Sequence, residues 1–89
     1  TIRIYNKEEL QRLDTISRGY LIHLEQINIL SESQRELVID RLLNLDSYEI
    51  NIEQIKWVVM IILFIQPEQE NAYNRMEELI LSENSVLIH

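Results

Sequence analysis

The stretch KWVVMIILFIQ, residues 56–66, is the most apolar part of the chain. Upstream of it, Asn51 followed by Gln54 has the pattern of a capping box, so a helix is predicted from Ile52 to Ile65. A membrane-spanning helix needs about 20 mainly apolar residues, whereas this one is shorter and its first turns are polar. A helix that is apolar all round in so charged a chain is typically buried. We therefore expect a central helix over residues 52–65, with the other helices packed around it.

The composition bounds the class of fold. The 89 residues include one Gly, one Pro and 46% hydrophobic residues, a balance typical of a folded, helix-rich chain. The length suits a single domain, residues 1–89. The chain has no Cys, which excludes a disulfide framework and thiolate metal ligands. These features predict an all-α, compact four-helix domain whose stability comes from packing.

The first helix is predicted over residues 7–29. Asn6 followed by Glu9 forms a second capping-box pattern at its start. At about 100° per residue, seven apolar side chains fall within one arc and predict the stripe that faces the core. They are Leu10, Leu13, Ile16, Tyr20, Leu21, Leu24 and Ile27.

The second helix has two overlapping start signals. Either Ser31 with Gln34 or Ser33 with Glu36 fits a capping box, and the helix is expected to end near Leu45. Both readings predict a helix between the first and the central one.

The fourth helix follows Pro67, which suits the first position of a helix. Its predicted buried stripe is Ala72, Tyr73, Met76, Leu79 and Ile80. Residues 2–5 and 86–88 are rich in β-formers and could pair as a short two-stranded ribbon of the terminal segments.

The residue types give no catalytic site, metal site or cofactor site to propose. His23 has no Asp, Glu or His at helical spacing for a metal, and we interpret it as a partly buried structural residue. The net charge is −7, and the basic residues form no run. Direct nucleic-acid binding is not expected, because it depends on neutralising phosphates. An enzyme is not expected from this segment.

The one glycine, Gly19, lies inside the predicted first helix, where it costs about 0.5–1 kcal/mol relative to Ala. On the same helix Ile22 and Ile29 fall opposite the core stripe, with Gly19 and Gln26 beside them. Two explanations remain open: another part of the domain packs there with close approach at Gly19, or a partner docks there. The candidate interaction face consists of Arg12, Arg18, Gly19, Ile22, Gln26 and Ile29.

Several stretches spread over nearly the whole chain also match a known family. They are Arg3-Ile4-Tyr5, Arg12-Leu13-Asp14, Arg18-Gly19, Leu24-Glu25-Gln26-Ile27, Val38-Ile39, Lys56-Trp57-Val58, Glu70-Asn71-Ala72-Tyr73 and Met76-Glu77-Glu78-Leu79, ending near Leu87 and His89. In these stretches the sequence resembles the C-terminal part of the bacterial Smg family.

The resemblance implies a cytoplasmic bacterial protein whose relatives carry an additional N-terminal region. It supplies no established catalytic residues. We therefore expect a non-enzymatic protein-interaction module that docks a protein partner or that N-terminal region. The genes of the family tend to lie near those of a DNA-processing protein and of translation-linked enzymes. An accessory factor in DNA or RNA processing is accordingly the alternative.

Overall fold

Five helices follow one another along the chain in a computed structural model that describes residues 3–66 and 70–88. They are α1 (Lys7–Arg12), α2 (Thr15–Gln26), α3 (Glu32–Leu43), α4 (Ile52–Phe64) and α5 (Glu70–Ile88). The predicted all-α class is confirmed. α4 packs against α2, α3 and α5, so the apolar stretch lies where these helices meet.

Helix starts follow local sequence closely. Capping boxes form between Asn6 and Glu9, between Ser31 and Gln34, and between Asn51 and Gln54. In each, the cap side chain accepts from the backbone N–H three residues on, and that residue's side chain accepts from the backbone N–H of the cap. Of the two signals for α3, the earlier one is used.

The prediction of one continuous first helix is wrong, because the chain breaks after Arg12. Leu13 is extended and forms a parallel bridge with Ile50, whose N–H donates to the Arg12 carbonyl at 3.0 Å. Asp14 then caps α2 by accepting from the Ser17 N–H at 2.8 Å. The Ser17 hydroxyl donates to the Ile50 carbonyl at 3.1 Å. The break is thus bonded to the segment that enters α4.

The end of α2 also comes earlier than predicted. Asn28 has φ 63°, the left-handed conformation that Asn tolerates better than most residues. Its N–H donates to the Glu25 carbonyl, and the N–H of Ile29 donates to the Leu24 carbonyl, which together make a Schellman motif. Ile29 consequently leaves the helix and lies in the core.

The core is built from α2, α3, α4 and α5 and from the links between helices. Its buried apolar members are Leu13, Leu21, Leu24, Ile29, Leu30, Val38, Ile39, Leu42, Ile50, Ile55, Val59, Ile62, Leu63, Ala72 and Met76. The prediction of one continuous helix over residues 7–29 places Leu10 and Ile16 in the core stripe, but both are exposed. The break at Leu13 changes the direction in which they point.

The stripe predicted for α5 is confirmed: Ala72 and Met76 are buried, and Tyr73, Leu79 and Ile80 pack partly buried against the core. The terminal ribbon is wrong, because residues 86–88 belong to α5. Ile2 and Pro67 lie outside the described residues. Within the described ranges, no helix combines the length and apolarity that a membrane span requires.

Candidate functional site

One face of α4 is apolar and exposed. Trp57 is 71% exposed, Ile61 50%, Phe64 74% and Ile65 65%. The spacing i, i+4, i+7, i+8 places these four side chains in one line along the helix, hereafter the α4 stripe. The opposite side of α4 is buried and consists of Ile55, Val59, Ile62 and Leu63. The expectation that the helix is covered on all sides is therefore wrong for this face.

Between α4 and α5 the surface is concave. One concavity of about 360 Å³ is lined by Glu53, Lys56, Trp57, Met60, Tyr73 and Ile80. A second of about 310 Å³ is lined by Leu63, Phe64, Gln66, Glu70, Tyr73 and Asn74. Tyr73 lines both, and its ring centroid lies 5.8 Å from that of Phe64, with the rings tilted by 55°. Because they share Tyr73, the two concavities are together called the α4–α5 groove, which lies beside the α4 stripe.

The positive charge in this groove is already paired. The Lys56 ammonium lies 3.1 Å from Glu83 and 3.4 Å from Glu53. Burial opposes the charged form of Lys56, but the two carboxylates outweigh it and raise the pKa of the ammonium. Tyr20 donates to Glu83 at 3.1 Å, and burial together with that carboxylate raises the pKa of its hydroxyl. Lys56 therefore stays protonated and bound within the domain.

Three of the six predicted interaction residues share one surface. Gly19, Ile22 and Gln26 lie on the outward face of α2, and Ile22 is 45% exposed. Among the described residues, no atom beyond the surrounding helix lies within 4 Å of the place a Cβ on Gly19 would occupy. The explanation by close packing at Gly19 thus has no support from the described residues, and a docking role for this face stays a prediction.

The other three residues point elsewhere. Ile29 is in the core. The Arg18 guanidinium donates to the carbonyls of Leu13 and Asp14 at the helix break. The six residues therefore do not form one face, because the helix on which they were placed is interrupted at both ends.

Arg12 organises the loop between α3 and α4. Its Nε donates to the Tyr48 carbonyl at 3.0 Å, and its Nη2 donates to the carbonyls of Leu45 at 2.9 Å and Ser47 at 2.6 Å. Its Nη1 also donates to the Leu43 carbonyl. The planar fork of the guanidinium thus satisfies four carbonyls at the end of α3 and beyond it.

An ion-pair network ties the segment before α1 to α2 and α3. Arg3 contacts Glu9 at 2.7 Å and also Glu36, while Arg35 contacts Glu36 at 3.0 Å and Glu25 at 2.6 Å. The hydrogen bond from Arg3 is the largest cause that lowers the pKa of both Glu9 and Glu36. Their carboxylates are therefore held in the charged form.

Metal ligands do not cluster in the part of the chain that the structure describes, where no group of three His, Cys, Asp or Glu residues could hold an ion. His23 is exposed on α2. Its interpretation as a partly buried residue is wrong.

Sequence reasoning missed the α4 stripe although a signal was present. The helix repeats large apolar residues at helical spacing on two opposite sides, and three neighbouring helices do not cover both. Exposed Trp and Phe in one line are the most informative surface feature of the described residues, because aromatic side chains are enriched where proteins bind one another.

Comparison with known proteins identifies the family. A family model described as "Protein of unknown function (DUF494)" matches residues 1–89. The chain is 45% identical over its full length to the protein Smg homolog of Halorhodospira halophila, and 47% identical to the protein Smg of Klebsiella pneumoniae. It spans 57% of the length of each of these relatives. No solved structure gives a significant match. The chain therefore belongs to the Smg family, whose model covers all of it.

Proposed function

We propose that this chain is a non-enzymatic helical protein-interaction module of the bacterial cytoplasm, and that the α4 stripe docks an apolar helix of a partner protein. The observation that carries the proposal is the exposure of Trp57, Ile61, Phe64 and Ile65 in one line. Monomeric proteins rarely expose a contiguous apolar patch of this kind without a binding role. Two turns of exposed aromatic and β-branched side chains match the anchors by which one helix holds another.

The basic residues support a protein partner rather than a nucleic acid. Of the chain's eight Lys and Arg residues, six bond to other groups of the domain: Arg3, Arg12, Arg18, Arg35, Lys56 and Arg75. Phosphate contacts require free cationic side chains. An accessory role in DNA or RNA processing therefore fits this domain better through a protein partner than through direct contact.

The perturbed ionisable groups support a non-enzymatic role. Shifted pKa values occur at Arg3, Tyr5, Glu9, Asp14, Tyr20, Arg35, Glu36 and Lys56. Ion pairs, a helix cap and burial in the domain account for each of these shifts. Perturbed groups that serve in structure carry no catalytic implication.

The test is site-specific photo-crosslinking in bacterial cells that have their own Smg homologue. The photoreactive residue p-benzoylphenylalanine replaces Trp57 in one variant and Ile22, on the outward face of α2, in the matched control. We expect a crosslinked product from position 57 in which the captured peptide comes from an apolar helix of another protein. Adding Ile61→Asp should remove that product.

Other outcomes contradict the proposal in distinguishable ways. Protein crosslinks from position 22 alone would move the docking surface to α2. Crosslinks from position 57 to lipid, or to a second copy of the chain, would replace the partner protein with a membrane or a homo-oligomer. The absence of any product specific to position 57 would remove the α4 stripe as a docking surface.

A further inference from the structure

The α4–α5 groove has an apolar floor and an acidic rim, and we infer that its occupant is a basic amphipathic helix. This inference rests on the proposed function, since it names the chemistry of the partner that docks beside the α4 stripe.

The floor has the dimensions of a short helix contact. Trp57 and Phe64 lie two helical turns apart, about 10 Å along α4. Between them Met60 and Tyr73 are partly buried and open to the groove. A helix that lies in such a groove presents apolar anchors at i, i+3 or i+4, and i+7, which is the spacing that this length accommodates.

The rim carries an excess of carboxylates. Glu53 lines one concavity, where its side chain is 74% exposed, and the exposed Glu70 lines the other. Glu77 is exposed one turn beyond Tyr73 on α5. The cation of this part of the surface, Lys56, is already bound by Glu53 and Glu83. Lys or Arg residues that flank the apolar face of an incoming helix would meet net negative charge, because these carboxylates outnumber Lys56.

The same charges disfavour other occupants. In a two-fold dimer through this groove each copy would bring its own acidic rim against that of its partner, which places like charges together. An anionic membrane surface would be repelled in the same way. The net charge of −7 adds to both effects.

The experiment uses three synthetic peptides of about four helical turns. The first places Leu along one helical face and Lys on the others, the second replaces every Lys with Glu, and the third has the composition of the first in an order without an apolar face. Trp57 is the only tryptophan of the chain, so its emission reports occupation of the groove directly. We expect a blue shift and saturable binding with the first peptide alone.

Variants separate groove binding from general attraction to an acidic protein. Ile61→Asp should weaken binding of the basic peptide roughly tenfold or more, as expected for a central apolar contact. Glu70→Lys should weaken it roughly two- to fivefold, and high salt should do the same, because rim charges contribute modestly and are screened. Asp40→Lys, the same charge reversal on an exposed position of α3, should leave the affinity unchanged.

Each remaining outcome overturns the inference. Equal binding of the acidic peptide would show that the groove takes any amphipathic helix, and the proposed function would stand without the charge preference. Equal effects of Glu70→Lys and Asp40→Lys, or no effect of Ile61→Asp, would show non-specific attraction. Sedimentation of the chain as a dimer that Ile61→Asp dissociates would identify a second copy as the occupant. Failure of all three peptides to bind would refute the inference, while crosslinking from position 57 would still decide the proposed function separately.

Discussion

When the sequence is plotted on continuous helices, α2 and α4 both carry apolar residues on the side opposite the core. In the structure, the exposed faces of these two helices differ. The α2 face presents Gly19, Ile22 and Gln26, of which one is a large apolar residue. The α4 face presents the α4 stripe. The comparison shows that apolar residues plotted opposite a core form one exposed apolar line only where they all stay on the same uninterrupted helix.

The cause of the difference is the continuity of the helix. α2 is bounded by the extended Leu13 and by the left-handed Asn28, which remove Arg12 and Ile29 from its face. α4 has no such interruption between its cap Asn51 and Phe64. Four sets of measurements test this contrast, beginning with the largest expected effect.

Ile29→Arg should cost about 4 kcal/mol or more of unfolding free energy, because it places an unpaired charge in the core. Ile22→Arg should change the unfolding free energy by less than about 0.5 kcal/mol. The side chain extends into solvent, and Arg has a higher helix propensity than Ile. Urea unfolding followed by circular dichroism measures both. Similar losses for the two variants would show that the α2 face is part of the core.

Arg12→Ala should cost roughly 2–3 kcal/mol, because four carbonyls lose their donor in the loop before α4. Arg12→Lys should recover only part of this, since an ammonium cannot reproduce the planar fork. Unfolding measurements on both variants, with Arg41→Ala as the exposed control, test the assignment. A stable Arg12→Ala chain that has lost partner binding would return Arg12 to an interaction face.

Acidification should lower the free energy of unfolding, because it weakens the ion-pair network of Arg3, Glu9 and Glu36 beside α2. The folded-state pKa values of Glu9 and Glu36 are lowered, so their contribution to stability is complete above the ordinary Glu pKa of about 4.3 and is lost as the pH falls through the folded values. Glu9→Gln keeps the capping box but removes the charge, and should cost roughly 1–2 kcal/mol at neutral pH.

The measurement is urea unfolding of both chains between neutral pH and pH 3. The loss of stability on acidification should be smaller in Glu9→Gln. A pH profile that the substitution leaves unchanged would show that the Arg3–Glu9 pair contributes nothing to the pH dependence of stability.

Gly19→Ala should stabilise the domain by about 0.5–1 kcal/mol. The position is helical and exposed, its φ is negative, and a Cβ would meet no atom of the part of the chain that the structure describes within 4 Å. A higher midpoint in thermal unfolding would confirm this. A more stable variant that loses crosslinking from position 22 would show that the α2 face binds a partner that needs the glycine.

Much of the helical framework follows from local chemistry and was predictable. The caps at Asn6, Ser31 and Asn51 each satisfy backbone donors within four residues, so the sequence contains the whole interaction. The break at Leu13 is different, because its extended conformation is stabilised by Ile50, far along the chain. The end of α2 was missed because its left-handed residue is Asn28 rather than a glycine.

The candidate site likewise combines features that local sequence predicts with features that depend on tertiary contacts. The chain alone determined that α4 would be apolar, helical and too short for a membrane span, because composition and spacing are local properties. Only the tertiary structure decided which of its sides is covered, since that depends on three other helices and on where their ends turn. Burial is set by the sum of long-range contacts. Val59 therefore belongs to the core, whereas Trp57, two residues away in the same apolar run, belongs to the candidate docking surface.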